Sequence, residues 1–176
     1  MNKKNIFIVF VFLISAFVCK CGSSDNLHQV FFVFLFRKIE GKVEILLQKR
    51  SSKKAFCPNL WAETCCSRLG KEECLVQEAK KRLNEEMGIC IDKLESVGSF
   101  VYQRESKNGQ TKKSLDHVLI GMFDSADINF NSKEVQAVRW VTLDQLEKEL
   151  IEKPEVFVPW LAKVFSFIPL RKLLNS

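Results

Sequence analysis

The sequence predicts an α+β domain, an α/β/α sandwich on a mixed sheet, and three observations carry that prediction. The chain of 176 residues is long enough for one ordinary domain and too short for two comfortable ones. Apolar residues make up 47% and charged residues 27%, the balance of a globular chain rather than a disordered or fibrous one. Strand-like and helix-like apolar patterns alternate along it without an internal repeat, so the two element types share one core.

Each element has its own reason. Residues 27–36 are apolar, β-branched or aromatic and read as a buried strand. Residues 37–42 carry Gly41 and read as a hairpin turn, with 43–49 as the returning strand. Residues 51–69 are mixed, with Pro58 and Asn59, and read as a structured loop. Residues 73–87 are the clearest helix, because Leu75, Ala79, Leu83 and Met87 recur every fourth position and Gly88 closes it. Residues 96–104 and 115–124 read as strands around a polar turn with Asn108-Gly109. Residues 138–141 form a short strand, and 143–151 and 159–174 read as helices.

The chain start has the layout of a secretory signal over residues 1–22. Lys3 and Lys4 make a basic head, residues 6–18 are apolar except Ser15, and Cys19 to Ser24 form a small polar exit. That apolar run is shorter than the ~20 residues of a bilayer-crossing helix, so membrane contact is expected only through this segment if it stays uncleaved. The net charge of +6 comes from scattered basic residues, three of them in the signal, and no nucleic-acid partner is expected. Seven cysteines are an odd number, and Cys65-Cys66 are adjacent, so the spacing is not a disulfide framework. Cys74 and Cys90 flank the helix and read as small core residues.

The helix carries a second face, Glu78, Arg82 and Glu86, which by itself reads as a solvated salt-bridge stripe. With Gly70 and the run from Arg82 to Ile89, it also looks like a degraded Nudix box, whose helix carboxylates hold a metal on a diphosphate. A longer match runs through the chain. Residues 27–36, Leu46 to Phe56, Pro58, Trp61, Thr64-Cys65-Cys66-Ser67, Glu78-Ala79, Arg82-Leu83, Tyr102, Glu134-Val135, Trp140 and Phe157 to Trp160 resemble the type 1 isopentenyl-diphosphate isomerases.

The resemblance implies a Nudix-like domain over residues 27–174. It also implies a Cys and a Glu that move protons on opposite faces of an allylic skeleton, and a metal held by three His and two Glu. Cys66 matches the catalytic Cys, and Arg50, Lys54, Arg82, Glu86 and Tyr102 match diphosphate-side positions. His28 matches one metal ligand. The other positions depart from the pattern: Cys21, Arg68, Lys112 and Ser114 stand where ligands belong, Ser114 also where the catalytic Glu belongs, and Glu63 replaces an Asn. One His holds no divalent ion usefully, and Arg68 and Lys112 bring positive charge to the place of a cation.

These departures lead to the expectation of a pseudoenzyme with a binding or regulatory role in isoprenoid precursor synthesis. It would serve through a protein partner or an isoprenyl diphosphate ligand. No cofactor is expected, with Mg²⁺ through Glu86 and a bound diphosphate as the variant. The alternatives are an active isomerase with a rebuilt site, using Asp116, His117 or Glu63, and, behind it, a Nudix hydrolase. The thiols do not require an oxidising compartment, so a plastid reached through the secretory route is the favoured destination over the endoplasmic reticulum or secretion.

Overall fold

A computed structural model describes residues 27–70, 73–105, 111–125 and 127–167. The expected signal segment, Cys21, the Asn108-Gly109 turn and the last residues of the domain lie outside them. The elements in order are β1 (His28–Ile39), β2 (Lys42–Arg50), β3 (Trp61–Ala62), β4 (Cys65–Leu69), α1 (Leu75–Met87), β5 (Glu95–Glu105), β6 (Thr111–Met122), β7 (Val135–Thr142), α2 (Leu143–Glu152), a 3₁₀ turn (Pro154–Val156) and α3 (Leu161–Phe167).

The apolar run in β1 makes it the central strand. Phe31 to Phe36 are all buried, because alternate side chains enter two different cores. Phe31, Val33 and Leu35 meet Ala79, Leu83 and Met87 of α1. Phe32, Phe34 and Phe36 meet Leu146 of α2 and Leu161 and Val164 of α3. Helices therefore cover both faces of one mixed sheet, as the α/β/α expectation required.

The sheet has the order β3-β2-β1-β6-β5, with β4 beside β1 and β7 beside β2. Glu40 and Gly41, both at positive φ, turn β1 into β2. The two strands pair from Phe36↔Ile45 to Ile39↔Lys42 and then separate. Into that fork go β3, paired to β2 at Gln48 and Lys49, and β4, paired to β1 from Gln29 to Val33. Thr64 sits at the fork. Its hydroxyl accepts from Leu35 N at 3.0 Å and donates to Leu46 O at 2.7 Å, serving two main-chain groups that the separating strands leave over.

The segment 51–69 is thus partly sheet, not a loop throughout. Its strands are only two and five residues long, and the open edges of β1 and β2 make them strands. The helix starts at Leu75 after Cys74, its extended N-cap, and just before it the Glu73 carboxylate turns back to accept from Gly70 N at 2.6 Å. Gly88 ends it in the left-handed conformation, φ 67°, with a Cβ there only 2.4 Å from Asn129 O. Cys74 and Cys90 are exposed, not core: they lie at the helix ends, off its apolar face. Cys57, Cys65 and Cys66 form no disulfide among the described residues. No described helix is long and apolar enough to cross a membrane.

Candidate active site

The fork concentrates unusual chemistry. Cys66 stands opposite Phe32, half-buried, on the sheet face that α2 and α3 cover. Glu63, in the step between β3 and β4, is wholly buried. Trp160, from the turn before α3, donates its indole N–H to both Glu63 carboxylate oxygens at 3.0 Å. Phe56 stacks on Trp160 at 5.8 Å, and the Arg50 guanidinium lies 5.9 Å from the same ring.

This surrounding decides protonation. Burial pushes the Glu63 carboxyl up to about 7, against the pull of its own backbone hydrogen bond, Trp160, Arg50 and a hydrogen bond with Cys66. Burial, then the Glu63 charge, pushes the Cys66 thiol well above its ordinary value, so it rests as a thiol. Cys65, on the α1 side of β4, is pushed up by burial and then by Glu86.

A second cluster lies on the α1 side. Glu86 is 1% exposed, so the expected solvated stripe does not hold together. Glu78 is partly buried and pairs with the exposed Lys81, while Glu86 points at the sheet. Arg82 pairs with Glu86 and, at 2.9 Å, with Glu85. Lys54 reaches from the 51–57 segment to Glu86 at 3.7 Å and to Glu134. Gln48 Nε2 donates to Glu86 at 3.4 Å. Lys54 and Arg82 therefore converge on one buried carboxylate. Arg50 does something else: it clasps the carbonyls of Phe56 and Cys57 at 3.0 and 3.1 Å and shapes that segment. Tyr102 is on β5 opposite Ser114, under Lys163, whose ammonium is 4.9 Å from its ring.

The positions for a metal fare differently. His28 is exposed, directly opposite Ser114 on β6. Val30, two residues on, is flanked by Arg68 on one side and Asp116 on the other. Lys112 is exposed at the start of β6. His117 is on the other face, its ring bonded to Gln29 at 2.9 Å, so it cannot join His28. Among the described residues no group of three or more His, Cys, Asp or Glu could hold a metal ion. A hydroxyl opposite His28 and a guanidinium opposite Val30 do not supply the donors of a His/Glu metal centre.

Comparison with known proteins agrees with this architecture. The NUDIX domain model matches residues 26–161. An isopentenyl-diphosphate Δ-isomerase of Photobacterium profundum is 38% identical over 143 residues, 81% of this chain and 79% of its own length. The corresponding protein of Nocardia farcinica is 36% identical over 142 residues, 80% of this chain and 78% of its own. Among solved structures, a MutT protein of Methanosarcina mazei has a TM-score of 0.58 at 21% identity, over 81% of this chain and 94% of that one. A Nudix hydrolase of M. smegmatis reaches 0.58 at 17%, over 84% and 86%. The solved structures carry the fold alone, but the sequence relatives reach further, and on them this chain belongs to the isopentenyl-diphosphate isomerase family of Nudix-fold proteins.

Proposed function

We propose that this chain isomerises isopentenyl diphosphate to dimethylallyl diphosphate through a rebuilt site. The observation that carries the reading is the Cys66–Glu63–Trp160 group: a half-buried thiol, a buried carboxyl that titrates near neutrality and a partly buried indole ring, gathered at the fork. An alkene is a poor base, so its protonation needs an acid in a dry pocket and a wall that tolerates a tertiary cation. Cys66 supplies the acid and the Trp160 ring the wall. Lys54 and Arg82 are placed to exchange the Glu86 carboxylate for diphosphate oxygens. Glu86, with the unpartnered Gln48 Oε1 buried beside it, is the carboxylate that a Mg²⁺ carried in on the diphosphate would meet. The names of the relatives support the same reaction.

Incubation of the purified chain with isopentenyl diphosphate, with and without chelator, tests this. Dimethylallyl diphosphate should form at a turnover of about 1 per second or faster. Cys66→Ala should abolish it. No product from a folded protein that binds diphosphate would defeat the reading.

A second reading has its own observation: Arg68 and Ser114 stand on the His28 face where ligands and a catalytic Glu are implied. On it the chain is a catalytically silent diphosphate binder serving a protein partner, carried by residues 1–22 into the secretory route and on to a plastid. Cys66→Ala would then leave its cellular role intact, and a reporter fused after Asn26 would enter that route.

A further inference from the structure

Moving a double bond by one carbon takes two proton transfers, one onto the skeleton and one off it. With Cys66 as the donor, a second group must take the other proton, and the register of the sheet supplies one. Cys66 lies opposite Phe32 on β4, along one edge of the central strand. Asp116 lies opposite Val30 on β6, along the other edge. Val30 and Phe32 are two residues apart, so Cys66 and Asp116 project from the same face, the one that α2 and α3 cover. Their Cα atoms are two strand spacings apart, about 10 Å, and one same-face step along the strand, about 7 Å. Each group stands about 3–3.5 Å from the carbon it serves, so a short skeleton laid on Val30 and Phe32 spans most of that separation.

Asp116 is 1% exposed. Val30 and Phe100 flank it across the sheet, and Phe100 stacks on Phe167 of α3 at 4.8 Å. Burying a carboxyl among these side chains costs free energy that an apolar residue would not. Three carboxyls are buried among the described residues, Glu63, Glu86 and Asp116. Glu86 is on the α1 side. Glu63 comes from the step before β4, on the Cys66 side of the central strand, and the Trp160 N–H holds both its oxygens. His117 projects to the other face, bonded to Gln29. Asp116 is thus the buried carboxyl that faces Cys66 across the central strand.

We infer that Asp116 is the second proton carrier of this site: as a carboxylate it removes the proton that the carbon skeleton loses after Cys66 has added one. The inference deepens the isomerase reading and rests on it. The Cys66 S–H gives its proton to the terminal carbon of isopentenyl diphosphate. The alkene π electrons form the new C–H bond, leaving a thiolate and a tertiary cation. The Asp116 carboxylate then takes a proton from the CH₂ beside the cationic carbon, and those C–H electrons become the new double bond. Asp116 is now a carboxylic acid and Cys66 a thiolate. Once the product leaves, water carries the proton from one to the other and the site is reset.

Asp116→Asn should lower turnover of isopentenyl diphosphate by about 100-fold or more with KM little changed. In D₂O the same variant should wash deuterium into the unreacted isopentenyl diphosphate, read by NMR. Cys66 still makes the cation there and can only take a proton back from it. A merely structural role for Asp116 would lose that exchange together with the product. Full turnover in Asp116→Asn would overturn the inference and leave the isomerase reading standing. Loss of both exchange and product from a folded Asp116→Asn would overturn it equally. Should Asp116→Asn not fold, Cys66→Ala replaces it, incubated with dimethylallyl diphosphate in D₂O. Deuterium should enter at the vinylic CH, where Asp116 alone adds and removes the proton, and no exchange there would overturn the inference. An unaltered protein that neither forms product nor takes up deuterium would remove the isomerase reading, and the role of Asp116 with it.

Discussion

Ser114 stands directly opposite His28 across the parallel β1–β6 ladder. The one imidazole at this edge therefore faces a hydroxyl, with Arg68 and Asp116 flanking the strand two residues further in. Protein purified without added metal should carry well under one equivalent of zinc by elemental analysis. Its thermal midpoint should not change on chelation, because structural metal binding would otherwise contribute to folding. A stoichiometric metal lost together with several degrees of stability would show that donors outside the described residues complete a site.

Glu63 should make the protein more stable in mild acid. Its carboxyl lies at about 7 folded and near 4.5 unfolded, so between those values the folded chain binds the extra proton. Stability is then fully present below about pH 4.5 with respect to this group and falls as pH rises through about 7. The full effect is about 3 kcal/mol. Urea melts at pH 5, 6, 7 and 8 should show the decline, and Glu63→Gln should flatten it.

Glu134 works in the opposite sense. The Lys54 ammonium holds its carboxyl below the usual range, so its contribution is present above about pH 4.5 and is lost on stronger acidification. The group is partly exposed and its share is small. Lys54→Met should remove that acid limb from the melts while leaving the decline between pH 5 and 8 untouched.

Thr64→Val should cost about 2–3 kcal/mol, because the hydroxyl serves both Leu35 N and Leu46 O in the dry fork and valine can serve neither. The loss should appear as a lower urea midpoint with an unchanged slope. A neutral outcome would mean that the strands close over the gap.

Glu86→Gln should destabilise by about 1–3 kcal/mol, since Arg82 and Lys54 lose a shared buried counter-charge while keeping Glu85 and Glu134. The same change should leave both cations freer for an anion. Calorimetry with inorganic pyrophosphate in metal-free buffer should show binding tightened by about 3-fold or more, some 0.7 kcal/mol. Weaker binding there would mean that Glu86 contributes something besides neutralising them.

Much of the frame is legible along the chain because it depends on near neighbours. The six buried residues Phe31 to Phe36 announce a central strand, and the four-residue spacing of Leu75, Ala79, Leu83 and Met87 announces a helix that Gly88 must end. The same local matches carry the family. The strands β3 and β4 are not legible, because runs of two and five residues are too short to show a periodicity. The exposure of Cys74 and Cys90 is likewise invisible, since a cysteine's type does not say which side of a helix end it will face.

What the sequence by itself determined is the sandwich, its helix cap, the family and the list of groups that depart from the family pattern. Only the tertiary structure decided what those departures amount to. Glu63 and Trp160 are 97 residues apart, and their contact exists only because α3 returns over the fork between β1 and β2. Glu86 belongs to an apparently solvated stripe until the sheet beneath α1 removes it from water. A carboxyl's affinity for its proton is set by desolvation and by charges within a few ångströms. Those neighbours are chosen by folding, not by adjacency along the chain.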